Sequence, residues 1–318
     1  MSQVDIFERR PLTGTGLRVT PVGVGSSSLA SMPSHYGYEV TEEAATATVL
    51  RVFASGLNLL DTSAGYGNGE SERRIGKAIA AAGGLPAGFV LASKADPDPV
   101  TKDFSGEQVR RSLHGSLERL GVDRLPLYML HDPERISFAD ATRPGGPVDV
   151  MVALREEGLV DAIAVAGGPV DLMRQYVATD AFQVVLTHNR YNLLNRAAEP
   201  LLAEAAERGV GVINAAPFGG GLLAKGPDRH PRFAYREAAA PLLDAAAAMQ
   251  RACAEAGVTL AAAAVRFSLR DPRVGVTLLG ASSPGRVGDI VAQAAAPVPE
   301  DLWPALERLV PAAEHWLS

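Results

Sequence analysis

Residues 56–82 read GLNLLDTSAGYGNGESERRIGKAIAAA and contain the unit from which the chain is built. A glycine ends one helical pattern, the apolar run 57–60 follows, and a second helical pattern covers residues 70–82. Glycine is favoured after a helix because it adopts the left-handed backbone conformation without steric cost. A short strand that is apolar throughout is typical of a parallel sheet buried on both faces.

The same unit recurs along the chain, with Gly121, Gly158, Gly209 and Gly257 at equivalent places. Eight units predict an α/β fold of the (β/α)₈ TIM-barrel class, because closing the sheet also removes its edges. The alternative is an open, doubly wound sheet, but the series is unbroken and no G-x-G-x-x-G opens a first helix. The predicted strands are 22–26, 57–60, 89–93, 125–130, 162–166, 184–186, 210–214 and 275–279, and the predicted helices include 41–54, 70–82, 106–120, 147–157, 170–178 and 195–208.

Three segments do not follow the repeated strand–helix unit. We expect one barrel domain over residues 1–318 that includes them. Residues 10–19, with Gly14 and Gly16 in their middle, predict a hairpin before the first barrel strand. Residues 225–240 are polar and irregular and predict a mobile loop on the substrate side. Residues 301–317 carry apolar side chains at helical spacing, which predicts an extra C-terminal helix on the barrel wall.

Composition excludes several classes of function. A net charge of −6 offers no general electrostatic basis for binding nucleic acid or an anionic membrane surface. The lone cysteine, Cys253, lies on an apolar background and is interpreted as buried filler. No Cys/His group has zinc-ligand spacing, so we expect no metal. The N-terminal residues MSQVDIFERR have no apolar core of signal-peptide length, so we expect a cytoplasmic location.

Polar side chains follow three neighbouring strands at the end where barrel active sites lie. Asp61 ends GLNLLD, Lys94 follows FVLAS, His131 follows LPLYML, and Tyr66 lies in the loop five residues after Asp61. Together they predict a proton-transfer site, in which Tyr66 exchanges a proton with a substrate oxygen and His131 hydrogen-bonds that oxygen. Because nearby positive charge favours phenolate, we expect Lys94 to lower the pKa of Tyr66.

These residues carry a resemblance to a known family. Residues 56–79, GLNLLDTSAGYGNGESERRIGKAI, resemble the aldo-keto reductase signature, and ASK at 92–94 and LHDPE at 130–134 resemble the places of its lysine and histidine. INAAPFGGGLL at 213–223 and HNRYNLLNR at 188–196 resemble the bacterial branch of L-fucose and D-threo-aldose 1-dehydrogenases. The resemblance implies a barrel that binds NAD(P)(H) without a Rossmann fold. It also implies catalytic roles for Tyr66 and its partners Asp61, Lys94 and His131.

The same resemblance implies a cofactor site. APFGGGLL at 216–223 and GASSPGRV at 280–287 resemble the family's cofactor segments. Glycine backbone amides and a helix N-terminus suit pyrophosphate and phosphate groups. The residues implied are Gly25, Ser26, Asp61, His188, Ala215, Pro217, Phe218, Gly219, Gly220, Leu222, Gly280, Ala281, Ser282, Ser283 and Arg286.

The chain departs from the family pattern around the nicotinamide. Ala166-Gly167 replaces the usual Ser-Asn, His188 replaces a Gln, and Ala215 replaces a stacking aromatic residue. Near the adenosine, Gly280 occupies a place that is basic in NADP-selective relatives. With Asp289 beside Arg286, we therefore expect NAD to be used at least comparably to NADP.

The predicted reaction moves a hydride between nicotinamide and a sugar hemiacetal or small carbonyl, most simply as an aldose 1-dehydrogenase. The alternatives are an aldehyde or ketone reductase, a pyridoxal 4-dehydrogenase, or a non-catalytic binding subunit of the same family. A metal-dependent barrel hydrolase is disfavoured, because only His131 and Asp61 would suit as ligands at strand ends. The expected partner is a small sugar or aldehyde, and the sequence leaves the oligomeric state open.

Overall fold

A closed barrel of eight parallel strands forms the centre of the computed structural model, which describes residues 4–317. Each strand pairs with the next along the chain, and the last pairs with the first, which confirms the predicted barrel and excludes the open sheet. Residues 1–3 and 318, the ends of the predicted domain, lie outside the described part. The strands are β1 (Val22–Gly25), β2 (Leu59–Asp61), β3 (Val90–Ala95), β4 (Leu125–His131), β5 (Val160–Gly167), β6 (Val184–His188), β7 (Gly211–Ala215) and β8 (Val274–Gly280).

Helices surround the barrel. The first long helix begins after Thr41, whose hydroxyl accepts from the amide of Ala44 as an N-cap. The α-helices are Pro33–Tyr36, Glu42–Phe53, Glu70–Ala81, Gly106–Leu120, Phe138–Thr142, Pro147–Glu156, Val170–Val177, Glu199–Glu207, Leu222–Lys225, Ala240–Glu255, Leu260–Leu269, Pro284–Ala295 and Leu302–Glu307. Within residues 4–317 no single helix is long and apolar enough to cross a membrane. Ala240–Glu255 and Leu260–Leu269 pass that test together, as a pair bent by 96°.

The core has two layers, one inside the barrel and one between barrel and helices. The predicted hairpin forms from Arg10–Pro11 and Arg18–Val19, and its Leu12 closes the N-terminal mouth of the inner layer. Gly14 turns this hairpin at φ +77°, and a Cβ there would lie 2.8 Å from the carbonyl oxygen of Gln183. Cys253 is buried in the outer layer as expected.

Three elements differ from prediction. The helix expected from residue 195 begins at Glu199, because the amide of Ala197 bonds the Asn195 side chain and Pro200 suits a first turn. The C-terminal helix ends at Glu307 and does not extend to residue 317. The segment 225–240, expected to be irregular, contains the short antiparallel pair Arg232–Phe233 and Arg236–Glu237. Its mobility stays a prediction.

Candidate active site

The carboxyl ends of β2, β3 and β4 bring the predicted polar residues to one rim of the barrel. Asp61 is the last residue of β2, Lys94 lies next to the end of β3, and His131 is the last residue of β4. Tyr66 reaches the same place from the loop after β2. All four line one cavity of about 910 Å³.

Lys94 is held by three hydrogen bonds, the full donor capacity of an ammonium group. Its Nζ lies 2.6 Å from Asp61 Oδ2, 2.7 Å from the carbonyl oxygen of Thr62 and 3.1 Å from Tyr66 Oη. Lys94 is 1% exposed and Asp61 is 2% exposed. A buried charge pair of this kind fixes both side chains, because separating them would leave an unpaired charge in the core.

The pKa of the Tyr66 phenol differs from the value expected from the sequence. Lys94 Nζ lies 4.7 Å from the centre of its ring. Even so, burial, followed by the negative charge of Asp61, raises the pKa of Tyr66 well above its ordinary value. The expected lowering of the pKa of Tyr66 is therefore not found, because desolvation disfavours phenolate and the nearby lysine is already paired with a carboxylate.

His131 is fixed by Asp96, a residue that the sequence reasoning missed. The Nδ1 atom of His131 lies 2.7 Å from Asp96 Oδ1 and 3.1 Å from Ser63 Oγ. Burial disfavours the charged imidazole, but the charge and hydrogen bond of Asp96 outweigh it and raise the pKa of His131. A signal was present, because residues two apart on a strand face the same side and Asp96 comes two residues after Lys94.

The predicted cofactor residues divide into two groups. One group lines the cavity, and it consists of Gly25, Asp61, His188, Ala215, Phe218, Gly220, Gly280, Ser282 and Arg286. The other group does not line the cavity, with Ser26, Leu222 and Ala281 fully buried, and consists of Ser26, Pro217, Gly219, Leu222, Ala281 and Ser283. Ser283 instead caps the Pro284–Ala295 helix, since its hydroxyl accepts from the amide of Arg286.

The glycines at 219–221 have a structural reason to be glycine. All three have positive φ angles, between +58° and +117°. A Cβ on Gly219 would lie 2.4 Å from the ring of Phe233, and one on Gly220 would lie 2.9 Å from the backbone nitrogen of Tyr235. The absent side chains therefore let the 232–237 hairpin pack against this turn. Pyrophosphate binding by these glycines stays a prediction.

Three features of the cavity suit a bound cofactor: a free carboxylate oxygen, open space at a glycine, and a neutral imidazole. Asp61 Oδ1 is buried and has no hydrogen-bond partner within the described chain, so it can accept from a hydroxyl group. Gly280 leaves open space, since a Cβ there would meet no atom within 4 Å. Burial, together with the charge of Arg190, lowers the pKa of His188 to about 4, so its ring is neutral at neutral pH. The residues present thus fit a sugar-bearing cofactor.

An aromatic wall completes the outer part of the cavity, and the sequence reasoning missed it. We use this name for the rings of His35, Tyr36, Tyr38 and Tyr235, with neighbouring centres 4.5–6.3 Å apart. Tyr36 Oη lies 2.6 Å from Ser27 Oγ, which fixes its ring. Over residues 4–317, no group of three His, Cys, Asp or Glu side chains is arranged to hold a metal ion.

Comparisons with known proteins agree with this geometry. The sequence profile of the Aldo/keto reductase family matches residues 21–311. The chain is 33% identical to L-galactose dehydrogenase from Arabidopsis thaliana, over 90% of its own length and 88% of that protein. It is 29% identical to D-threo-aldose 1-dehydrogenase from a Pseudomonas species, over 93% and 96% of the two chains. Its fold is similar to the holo form of an aldo-keto reductase from Bacillus halodurans, with TM-score 0.79, 23% identity and coverage of 96% and 97%.

Proposed function

Because this chain belongs to the aldo/keto reductase family, and is therefore an oxidoreductase of a family that uses nicotinamide cofactors, we propose that it oxidises an aldose at carbon one. The product would be the lactone of the cyclic sugar. The observation that carries the proposal is the buried contact of Lys94 with both Asp61 and Tyr66 at the base of the cavity. Two of its relatives, named above, are sugar dehydrogenases.

In this proposal Tyr66 exchanges the proton of the reacting oxygen. As base it removes the proton from the anomeric hydroxyl, and as acid it returns a proton to a carbonyl oxygen. Lys94 holds the phenol oxygen in place, and Asp61 holds Lys94. His131 donates a hydrogen bond to the same substrate oxygen. A nicotinamide cofactor bound in the cavity would donate or accept the hydride.

We propose that Asp61 Oδ1 and the residues at 280–286 hold this cofactor, and that NAD is used at least comparably to NADP. The guanidinium of Arg286 is already paired with Asp289, at 2.9 Å. A 2′-phosphate would have to compete with that carboxylate for the arginine and would also be repelled by it. Gly280 adds no basic group. These features support NAD.

A second candidate, aldehyde reduction, is favoured by one observation. The raised pKa of Tyr66 keeps its phenol protonated at neutral pH, which suits a general acid better than a general base. Sugar oxidation by the same residue then requires alkaline conditions or the positive charge of an oxidised nicotinamide nearby. Both directions use the same four side chains.

The deciding experiment is steady-state turnover with a panel of aldoses and aldehydes, each with NAD(H) and NADP(H). Sugar oxidation that exceeds the turnover of simple alcohols would support the proposal. Efficient aldehyde reduction without detectable sugar oxidation would favour the second candidate. An NADP preference above about a hundredfold, equivalent to about 2.7 kcal/mol, would contradict the proposed cofactor use.

Two parts of the proposal concern the whole chain. We propose a single catalytic domain over residues 1–318, because the closed barrel already extends from residue 22 to residue 280 and both flanking segments pack on it. We also propose a cytoplasmic location. The support is that the chain has a single cysteine, Cys253, which can form no disulfide within the chain, so the fold does not depend on an oxidising compartment.

A further inference from the structure

Asp96 stands at the centre of a hydrogen-bonded group that is separate from the Asp61–Lys94–Tyr66 contact. Its Oδ1 accepts from Nδ1 of His131 at 2.7 Å. Its Oδ2 accepts from the amide of Gly65 at 2.7 Å and from the hydroxyl of Ser63. Asp96 is 5% exposed, so both of its oxygens are buried and both are bonded. No hydrogen bond among the described residues joins this carboxylate to Asp61, Lys94 or Tyr66.

This arrangement decides which nitrogen of His131 meets the substrate. A carboxylate only accepts hydrogen bonds, so Nδ1 must carry a proton. The other nitrogen, Nε2, lies on the far side of the ring, 3.7 Å from Asp132 Oδ1. His131 and Asp132 both line the cavity. Nε2 is therefore the atom available to a substrate oxygen.

The groups around His131 decide its charge. The acidic neighbours are Asp61 at the end of β2, Asp96 directly after β3, and Asp132 and Glu134 after β4. The basic neighbours are Lys94 on β3 and His188 on β6, and the ring centre of Tyr66 lies 5.7 Å away. The charge of Lys94, which is paired with Asp61 at 2.6 Å, lowers the pKa of His131, whereas His188 has its own pKa lowered to about 4 and is uncharged at neutral pH. Burial lowers the pKa of His131, but the charge and the hydrogen bond of Asp96 together outweigh it and raise that pKa, and the pKa of Asp96 is lowered to about 2.

We propose that Asp96 is a positioning residue that holds His131 as a doubly protonated imidazolium at neutral pH, with Nε2–H as a charged donor to the substrate oxygen. A charged donor binds an oxygen about twice as strongly as a neutral one, and it favours the negative charge that develops on a carbonyl oxygen during hydride transfer. The part that concerns substrate rests on the proposed function. The charge on His131 does not.

The charge is tested in the intact enzyme by ¹⁵N NMR of the histidine side chains, with His131→Gln to assign the signal. We expect both ring nitrogens of His131 to be protonated through neutral pH. In Asp96→Asn the amide oxygen can still accept from Nδ1–H, but the charge is gone, so the midpoint should fall by more than about one pH unit. Ser63→Ala is the comparison variant, because it removes a hydrogen bond to Asp96 and a neighbour of the same ring but keeps the carboxylate, so the midpoint should move less than in Asp96→Asn. A neutral His131 at pH of about 7 in the wild type, or an unchanged midpoint in Asp96→Asn, overturns the proposal.

The effect on catalysis is tested by the pH profile of aldehyde reduction. Reduction needs protonated His131, so kcat falls as pH rises through the His131 pKa, and Asp96→Asn should move this falling limb to lower pH. Near neutral pH we expect kcat to drop about tenfold to a hundredfold, the scale for losing a charged hydrogen bond, with cofactor Kd unchanged. Ser63→Ala keeps the carboxylate and should move the limb less than Asp96→Asn does, and Asp96→Ser provides a second uncharged variant if the Asn protein folds poorly.

A uniform loss of kcat at every pH, without movement of the limb, would assign Asp96 a merely structural role and overturn the proposal. A wild-type enzyme that turns over no aldehyde or sugar contradicts the proposed function alone, because the NMR titration needs no substrate.

Discussion

Replacing Tyr66 by Phe removes one oxygen atom and leaves its surroundings in place. The ring keeps its contact with Lys94, whose Nζ lies 4.7 Å from the ring centre, and its edge-on packing against His131. Lys94 keeps its two shorter hydrogen bonds, to Asp61 and to the carbonyl of Thr62. We therefore expect a folded protein with near-normal cofactor affinity.

The two roles that Tyr66 Oη can have predict different losses. If Tyr66 Oη only accepts the 3.1 Å hydrogen bond of Lys94, its removal should lower kcat by at most about a hundredfold, equivalent to about 3 kcal/mol. If it is the general acid and base, kcat should fall by a factor of about 10²–10⁴. The assay is single-turnover kinetics followed through the absorbance of the reduced nicotinamide, with cofactor Kd from fluorescence titration.

Tyr36→Phe is the matched control for this variant. Its hydroxyl also lies in the cavity, but it bonds Ser27 at 2.6 Å and not Lys94. We expect its loss to change kcat less than about tenfold, since only a neutral hydrogen bond is removed. A Tyr66→Phe enzyme that keeps kcat within about tenfold of wild type, with chemistry rate-limiting, would refute the role assigned to the phenol.

Three further outcomes are expected. Sugar oxidation should rise about tenfold per pH unit on the alkaline side of neutrality, because the raised pKa of Tyr66 leaves little phenolate at pH 7, and a flat profile of kcat/KM would contradict Tyr66 as base. Asp289→Asn should release Arg286 from its ion pair and raise the NADP-to-NAD ratio of kcat/KM by up to about fivefold, because an exposed pair contributes about 1 kcal/mol. An unchanged ratio would show that Arg286 does not bind the 2′-phosphate of NADP. Glu72→Ala should lower the free energy of unfolding by about 2–3 kcal/mol in denaturant titrations, because buried Glu72 bonds Arg119 at 2.7 Å, and a loss below about 0.5 kcal/mol would contradict that estimate.

The sequence predicted the four side chains of the active site, Asp61, Tyr66, Lys94 and His131, because strand ends and the loops after them are local features. An apolar run followed by Asp61, Lys94 or His131 can be read from neighbouring residues, and the topology of a parallel barrel then places such ends at one rim. The partner of His131 was missed although it lies two residues after Lys94. Its role depends on a contact 35 positions apart along the chain, between Asp96 and His131, for which no local pattern exists.

Electrostatics also required the three-dimensional structure. From the sequence, Lys94 was expected to lower the pKa of Tyr66, because a positive charge stands beside a phenol. The folded structure raises that pKa, because it buries the phenol and pairs Lys94 with the carboxylate of Asp61. The sign of such a shift depends on how much water reaches the group and on every nearby charge, and both follow from packing.

Periodic apolar runs and helix-ending glycines thus determined the barrel, its strand order and the four side chains at its rim. These features follow from local sequence patterns and from the order of the strands along the chain, because all strands of a closed parallel barrel end at the same rim. Only the tertiary structure decided the aromatic wall, the packing of the 232–237 hairpin on the glycines at 219–221, and the carboxylate on His131. These depend on loops that meet across the mouth of the barrel, where short polar segments carry no periodic signal and only the packed side chains determine which residues touch.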